Sequence, residues 1–151
     1  MWVFRISKAK NAKKIEASGV ANRWNKSGQF VLYASGSRAL ATLELVVHRS
    51  AIIQSESYKV MVIEIPIEIP EMVLEIKLSE LPSNWNTLQS YPRLQEIGSK
   101  WYEKKESLIL KVPSALIPQE HNFVINTAHE WFKTQVKLID LEEFFWDGRL
   151  F

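Results

Sequence analysis

The sequence predicts a single α+β domain spanning residues 1–151, with several short strands and two or three helices. Short apolar runs rich in β-branched and aromatic residues are separated by Gly, Pro and Ser turn signals, which is typical of strands. Other segments carry apolar residues at helical spacing, and the two kinds of segment are interleaved. The 151 residues suffice for one core, and they contain no repeat and no linker.

The first third of the chain predicts two strands and one helix. Met1–Ile6 alternates as a half-buried strand does, and Gln29–Ala34 is rich in β-formers between turn residues. Ser37 can then cap a helix over Arg38–His48. Because this helix is apolar on almost every side, we expect it to lie in the core.

The middle of the chain predicts strands that prolines interrupt. Residues 58–70, YKVMVIEIPIEIP, alternate isoleucine with glutamate or proline, which gives one apolar and one wet face. Pro66 and Pro70 cannot donate hydrogen bonds to a neighbouring strand, so this run should be an edge strand or should break in the middle. Met72–Leu78 is predicted as a further strand, and Ser79–Trp85 as a loop or short turn.

The last third predicts one helix and three strands. Tyr91–Tyr102 has a helical apolar pattern, whereas Leu108–Val112 and Asn122–Ile125 have the composition of short strands. Phe132–Ile139 is predicted as a strand. The aromatic C-terminal sequence EEFFWDGRLF is expected to pack against the core rather than to bind a ligand.

Composition excludes several classes of protein and of site. Hydrophobic residues make up 46% and charged residues 24%, as in ordinary globular proteins, so disorder and fibrous structure are not expected. There is no cysteine, which excludes disulfides, thiolate metal sites and a cysteine nucleophile. His48, His121 and His129 are far apart and form no HExxH motif, so no metal site is expected.

The charge of the chain argues against a role in nucleic-acid binding. The formal net charge is only +2, although four lysines form a local basic run: Lys8, Lys10, Lys13 and Lys14. Aromatic residues that could stack on bases do not interleave with this run, so we expect a solvated face. Neither a signal peptide nor a membrane span is evident, and the expected location is the cytoplasm.

Two residues of the first half could take part in binding, although each has a simpler explanation. Arg23 lies in the turn-like sequence NRWNKSG, and a rigid turn can aim a guanidinium at phosphates or at a carboxylate. The turn alone favours a solvated arginine beside Trp24. Tyr33 ends a strand whose neighbours Val31 and Leu32 are apolar, and periodicity alone favours packing, with the hydroxyl at the rim.

Glu44 and Ser114 are the other candidates. Glu44 is a single carboxylate on an otherwise apolar helix, so it must find a partner or do chemical work. The alternative is an exposed glutamate or one paired with His48. Ser114 follows Pro113 at the end of a predicted strand, where serine is often a cap or turn residue. Because no GxSxG motif and no triad partners are present, we do not expect Ser114 to be an activated nucleophile.

Several motifs, in order, resemble a known family. Residues 19–48, GVANRWNKSGQFVLYASGSRALATLELVVH, resemble the first half of the RES domain, and residues 111–129, KVPSALIPQEHNFVINTAH, resemble its second half. The likeness also includes WVFRIS, LPSNW, LQEIGSKWYEKKESLIL and WDGRLF, and so covers nearly the whole chain. The family is named for an arginine, a glutamate and a serine. These match Arg23, Glu44 and Ser114, and the family's tyrosine matches Tyr33.

Departures from the family pattern fall in loops and leave those four positions intact. They are found at Ala21, Asn22, Lys26, Thr127 and Gly148.

The resemblance implies an ADP-ribosyltransferase-like fold with a mixed β-sheet core and a few helices. It also implies the toxin component of a bacterial toxin–antitoxin pair. It implies that the toxin cleaves NAD at the nicotinamide–ribose bond, as a glycohydrolase or phosphorylase, and depletes cellular NAD. NAD would be the substrate, with no bound cofactor. The implied partners are an Xre-type antitoxin and a second copy of the chain, as a homodimer within a larger complex. Direct contact with nucleic acid or membrane is not implied.

The resemblance also implies a role for each matched residue. Glu44 would stabilise the positive charge that develops on the ribose, and Arg23 would hold the phosphates or orient the ribose. Tyr33 would pack on the nicotinamide side, and Ser114 would position the substrate or Glu44 by a hydrogen bond. Three alternatives stay open: ADP-ribosylation of a protein, a catalytically inactive protein-binding module, and a nucleic-acid binder that uses the lysine run.

Overall fold

A seven-stranded mixed sheet forms the centre of the fold in this computed structural model, which describes residues 1–48 and 55–150. The strands are β1 Trp2–Lys8, β2 Val31–Ser35, β3 Tyr58–Glu64, β4 Val73–Glu75, β5 Ile109–Pro113, β6 His121–Asn126 and β7 Lys137–Phe144. Their order across the sheet is β4-β5-β6-β2-β1-β3-β7. Only β4 and β5 are parallel, and the other neighbours are antiparallel. The predicted α+β class is confirmed.

Three α-helices occur in the part of the chain that is described: α1 Arg38–Val47, α2 Tyr91–Lys104 and α3 Phe132–Gln135. Ser37 caps α1 as predicted, since its side chain accepts a hydrogen bond from the Leu40 backbone N–H at 3.1 Å. Short 3₁₀ turns join the other elements, at Ala9–Asn11, Pro70–Met72, Leu78–Glu80, Leu88–Ser90 and Gly148–Leu150.

The helices α1 and α2 cover the same face of the sheet. Phe4 of β1 packs with Ala41 of α1, whereas Val31 of β2 packs in the cluster that contains Leu94 of α2. Phe4 is paired with Ser35, and directly paired residues lie on one face, as do residues two apart along a strand. The opposite face carries the other main apolar cluster, which includes Leu32 and residues of β3, β5 and β6.

The sheet is split between β1 and β2. These strands share a single residue pair, Phe4 with Ser35, whereas β1 pairs with β3 along seven residues from Trp2 to Lys8. The two strands therefore part on either side of that pair. A gap forms between the β3–β1 side of the sheet, under α1, and the β2–β6 side, under α2.

Residues 58–70 break rather than form an edge strand. β3 ends at Glu64, just before Pro66, and it lies inside the sheet between β1 and β7. The edges are β4 and β7. Of the two outcomes predicted for the proline-containing run, the break is therefore confirmed. The strand predicted over Met72–Leu78 is shorter, because 3₁₀ turns on both sides limit β4 to Val73–Glu75.

The strand predicted over Phe132–Ile139 is wrong in its first half. The backbone N–H of Val136 donates to the carbonyl of Phe132, which closes a helical turn, and β7 starts only at Lys137. Phe132 and Val136 are four residues apart and both pack on the core, whereas Lys133 and Thr134 between them are exposed. That spacing is helical, not alternating.

The expectation that α1 lies in the core is also wrong. Only Leu40 and Ala41 are buried, while Leu43 and Val47 are 39% and 55% exposed. One stripe of the helix covers the sheet, and its other sides face the gap and solvent. An apolar composition on all sides thus does not make this helix a buried one, and Glu44 is half-buried rather than enclosed.

The aromatic C-terminal sequence packs in part as predicted. Trp146 forms edge contacts with Tyr58 and Phe144, at centroid distances of 5.6 and 4.8 Å, although Phe145 is exposed.

In the basic run, Lys8 and Lys10 pair with Glu56, and the other two lysines are exposed. Across residues 1–48 and 55–150, we find no helix long and apolar enough to cross a membrane.

Candidate active site

A cleft of about 720 Å³ opens at the split between β1 and β2. Its walls come from both strands, from α1, from residues 18–24 before β2, from Tyr91 at the start of α2 and from the segment after β5. The volume is within the range of roughly 300–1,000 Å³ that is usual for small-molecule sites. Of the four residues matched to the RES domain, Arg23, Tyr33 and Glu44 line this cleft.

Glu44 projects from α1 and binds the sheet through one carboxylate oxygen. Its Oε1 accepts hydrogen bonds from Ser114 Oγ at 3.0 Å and from Asn122 Nδ2 at 2.6 Å. Among the described residues, none donates to Oε2. The histidine pairing that the sequence left open is not observed, since His48 also lines the cleft but forms no ion pair with Glu44 in the described part. Within the described residues, Glu44 therefore has a fixed orientation and one oxygen without a donor.

Ser114 lies behind Glu44 rather than in the wall of the cleft. It is fully buried directly after β5, and its Oγ accepts hydrogen bonds from the backbone N–H groups of Leu116 and Ile117, at 3.1 and 3.2 Å. Both lone pairs are thus occupied, and the single hydroxyl hydrogen is directed to Glu44. The structure brings Ser114 to the site through Glu44.

Asn122 is a site residue that the sequence analysis did not find. It is the second residue of β6 and lines the cleft. Its Oδ1 accepts a hydrogen bond from Ser35 Oγ at 2.8 Å, while its Nδ2 donates to Glu44. Asparagine is depleted in strands, so an asparagine within the predicted strand Asn122–Ile125 was an available signal.

Arg23 lies in a tight turn that packs against α2. The turn is closed by backbone hydrogen bonds between Asn22 and Asn25, and Gln95 of α2 donates to the Asn22 carbonyl at 2.8 Å. The guanidinium donates to the Trp85 carbonyl at 3.3 Å and lies 4.7 Å from the centroid of the Tyr91 ring. No carboxylate of the described residues pairs with Arg23, so its charge is available to an anion in the cleft.

Tyr33 connects the turn of residues 22–25, which carries Arg23, to strand β2. Its hydroxyl accepts from the Trp24 backbone N–H at 3.1 Å and donates to Asn25 Oδ1 at 2.6 Å. Burial raises the pKa of Tyr33 above its usual 10.0, because a phenolate would lose its hydration there. The hydroxyl therefore stays protonated and remains a donor at neutral pH, while the ring faces the cleft.

Arg5 is a second arginine of the cleft that sequence analysis did not single out. It lies on β1, and its guanidinium donates to the Tyr33 carbonyl at 3.0 Å, across the gap between the strands. No carboxylate among residues 1–48 and 55–150 pairs with it, and burial lowers the pKa of Arg5 below its ordinary value. In the alternating sequence MWVFRI, an arginine is indistinguishable from an ordinary residue of the wet face.

The arrangement suits an anionic ligand with a centre that becomes cationic. Two guanidinium groups that have no carboxylate partner among the described residues attract phosphate, while a single oriented carboxylate can stabilise positive charge. Among the described residues, no group of three or more His, Cys, Asp or Glu side chains could hold a metal ion.

The fold is similar to that of a protein from a toxin–antitoxin complex. A chain in the crystal structure of the M. tuberculosis MbcT-MbcA toxin-antitoxin complex matches with a TM-score of 0.76, over 95% of this chain and 83% of that chain. The sequence identity is 14%, so this likeness concerns the fold alone.

The family is established by sequence. The RES domain model matches residues 3–147. A protein of Yersinia enterocolitica named Toxin Res is 31% identical over 89% of this chain and 86% of its own length. The Prs ADP-ribosylating toxin of a Sphingobium species is 32% identical over 85% of this chain and 79% of its own length. The chain therefore belongs to the RES domain family, and these relatives are toxins.

Proposed function

We propose that this RES-domain toxin cleaves NAD at the bond between nicotinamide and ribose, and so depletes the NAD of the cell. The proposal depends mainly on the hydrogen bonding of the Glu44 carboxylate. Its carboxylate is fixed through Oε1 by two donors, and Oε2 accepts no hydrogen bond from the described residues. The cleft that it lines also contains Arg23, Tyr33 and Arg5.

The chemistry of NAD matches these groups. Nicotinamide leaves with the electron pair of the C–N bond, which neutralises its positively charged ring, and the ribose passes through an oxocarbenium-like state. A carboxylate beside the ribose stabilises that state by charge and by binding the ribose hydroxyls. This is the role that we assign to Glu44. Neither a metal nor a covalent nucleophile is needed for so good a leaving group.

The remaining residues bind and orient NAD in this proposal. Arg23 binds the phosphates or orients the nicotinamide ribose, and Arg5 adds a second positive charge to the same cleft. Tyr33 packs its ring on the nicotinamide side. Of the two roles considered for Ser114, its hydrogen bond to Glu44 supports positioning of the carboxylate over contact with the substrate.

The group that attacks the ribose defines the activity. Attack by water makes the protein an NAD glycohydrolase, and attack by inorganic phosphate makes it an NAD phosphorylase. The test is to incubate the purified chain with NAD, with and without phosphate, and to identify the products. Free ADP-ribose indicates hydrolysis, and ADP-ribose 1″-phosphate indicates phosphorolysis. Undiminished NAD under both conditions would refute the proposal.

A second candidate function is ADP-ribosylation of a protein. It is favoured by the relative that is named an ADP-ribosylating toxin, at 32% identity. The same oriented carboxylate would serve, with a protein side chain in place of water. Labelled NAD separates the two functions, because transfer leaves the label covalently attached to protein, whereas hydrolysis or phosphorolysis leaves it in small molecules. A chain that neither consumes NAD nor labels protein would be the inactive binding module.

The partners in this proposal are an Xre-type antitoxin and a second copy of the chain. The structure with a similar fold comes from a complex of a toxin with its antitoxin. Expression of the chain alone should therefore arrest growth and lower cellular NAD, and co-expression of the antitoxin should restore both. The mass of the purified chain in solution tests the homodimer.

A further inference from the structure

A relay of hydrogen bonds connects β2 to Glu44 through Asn122. Ser35 Oγ donates to Asn122 Oδ1 at 2.8 Å, and Asn122 Nδ2 donates to Glu44 Oε1 at 2.6 Å. All three residues line the cleft. Asn122 is thus the link between the sheet and the carboxylate on α1.

The direction of this relay follows from the chemistry of its ends. A carboxylate only accepts hydrogen bonds, so the amide group that faces Glu44 must be the NH₂. The amide oxygen of Asn122 then faces Ser35 and accepts its hydroxyl hydrogen. Because the oxygen and the NH₂ group of the Asn122 amide both form hydrogen bonds, the amide has a single orientation. An amide with only one of these bonds would be free to rotate.

The backbone makes the relay rigid. Ser35 and Asn122 are paired residues of the antiparallel strands β2 and β6, so their side chains lie together on one face. Ser114, the other donor to Glu44 Oε1, directly follows β5, which also pairs with β6. Both donors are therefore fixed to the same three strands, whereas Glu44 lies on a helix with exposed sides.

We propose that Asn122, oriented by Ser35, is a positioning residue that fixes Glu44 Oε1 and so directs Oε2 to the reacting ribose. The inference rests on the proposed cleavage of NAD. The two donors to Oε1 are held by different hydrogen bonds. Asn122 is held by Ser35, and Ser114 is held by the backbone N–H groups of Leu116 and Ile117.

A second asparagine of β6 provides a matched control. Asn126 is buried on the same strand, and its side chain donates to the Tyr102 carbonyl at 3.2 Å and accepts from the Ala128 N–H at 2.9 Å. It does not line the cleft and does not contact Glu44. Its removal tests what the loss of a bonded asparagine in this strand does to the fold alone.

The experiment compares kcat and KM for NAD in Asn122→Ala, Ser35→Ala, the double variant and Asn126→Ala. A misplacement of about 1 Å can cost on the order of 100-fold in rate, so we expect Asn122→Ala to lower kcat by about that factor, with little change in KM. Ser35→Ala should lower kcat by about 5-fold, the equivalent of one hydrogen bond. Because Ser35 acts through Asn122, it should have no further effect in the double variant.

Two results would overturn the inference. One is a kcat of Asn122→Ala no lower than that of Asn126→Ala at equal folded fraction, and the other is independent, multiplicative effects of Ser35→Ala and Asn122→Ala. Asn122→Ser replaces the alanine variant if the latter does not fold, since a serine is too short to reach Glu44.

A crystal structure of Asn122→Ala separates this inference from the proposed function. We expect the Glu44 carboxylate to rotate or to occupy two orientations, and an unchanged carboxylate would refute the positioning role whatever the protein does to NAD. Conversely, a wild-type protein that leaves NAD intact would refute the proposed function and the role of Oε2 toward ribose, while the crystal structure of Asn122→Ala would still decide whether Asn122 fixes the Glu44 carboxylate.

Discussion

Glu44 binds the protein through an oxygen that a glutamine would also possess. In Glu44→Gln the amide oxygen can still accept from Ser114 and Asn122, so the side chain should keep its place while the negative charge is lost. Since that charge is assigned to the developing cation, we expect NAD loss to fall by about 10²- to 10³-fold. The measurement is NAD consumption by purified protein at matched concentration.

The control for Glu44→Gln is its unfolding temperature, which should stay close to that of wild type. A folded Glu44→Gln protein that consumes NAD at the wild-type rate would remove Glu44 from the mechanism. A protein that is inactive because it unfolds would decide nothing, so the circular dichroism melt is recorded on the same sample.

Tyr33 contributes to stability through its hydroxyl. Tyr33→Phe leaves the Trp24 N–H and Asn25 Oδ1 without their partner in a buried turn, at a cost of about 1–3 kcal/mol in the free energy of unfolding. The pKa of Tyr33 is raised in the folded state by burial, so its contribution is present below pH 10 and is lost as the pH rises above 10. Urea unfolding at neutral and alkaline pH measures both effects.

Tyr102→Phe is the matched control for Tyr33→Phe. The Tyr102 hydroxyl accepts one hydrogen bond, from the Phe30 N–H at 3.2 Å, in an exposed position. Its loss should cost less, because water can replace the hydroxyl. Equal costs for the two variants, or an undiminished alkaline loss of stability in Tyr33→Phe, would contradict the assigned role.

The site residues differ in how far the sequence revealed them. From residue pattern alone, Arg23 was best explained as a solvated side chain and Tyr33 as simple packing. The family resemblance united them with Glu44 and Ser114, and the structure brings Arg23, Tyr33 and Glu44 to one cleft, with Ser114 behind Glu44. Asn122 stayed hidden because its role depends on strand pairing across 87 residues, from Ser35 to Asn122, and no local pattern encodes that pairing.

The helix α2 supports the turn of residues 22–25, which carries Arg23, and the two lie very close together at Gly98. A Cβ on Gly98 would lie 1.7 Å from the Trp24 carbonyl oxygen, so the turn or the helix must move in Gly98→Ala. Because Trp24 adjoins Arg23, we expect a higher KM for NAD and a loss of about 1–3 kcal/mol in stability. Steady-state kinetics and urea unfolding measure these two effects.

The direction of the stability change in Gly98→Ala distinguishes the close contact from helix propensity. Alanine is a better helix former than glycine by about 1 kcal/mol, so without the close contact the variant would be more stable than wild type. Gly36→Ala is the control, since its Cβ would lie 3.5 Å from the nearest atom, the His121 carbonyl oxygen, and should have little effect. A stabilised Gly98→Ala protein with wild-type KM would refute the packing argument.

The elements themselves were predicted best where one periodicity dominates. The capped helix α1 and the strand β5 were found within one residue of their bounds, since their sequences fit one pattern throughout. The residues Phe132–Gln135 form a helix of only four residues, α3. A single helical turn does not repeat its apolar spacing, so the sequence pattern predicts a strand there instead. The strand order, with β1 beside both β2 and β3, depends on contacts that sequence pattern does not contain.

Because the sheet is split, a ligand in the cleft touches two separate apolar clusters on the face that α1 and α2 cover. Arg23 and Tyr33 belong to the side covered by α2, whereas Glu44 belongs to α1 over β1 and β3. A molecule that binds the folded cleft and not the unfolded chain raises the free energy of unfolding, by about 2.7 kcal/mol at 100 times its Kd. Binding should therefore be measurable as thermal stability.

Glu44→Gln makes that measurement possible with NAD itself, because the substrate should survive the heating scan. At saturating NAD we expect the Tm of Glu44→Gln to rise by roughly 5–10 °C. Adding Arg23→Ala should remove most of this rise, since it removes a cation of the cleft, whereas Arg93→Ala on the exposed side of α2 should leave it intact. An equal rise in both double variants would show that NAD binds elsewhere, and no rise in Glu44→Gln would show that the cleft does not bind NAD.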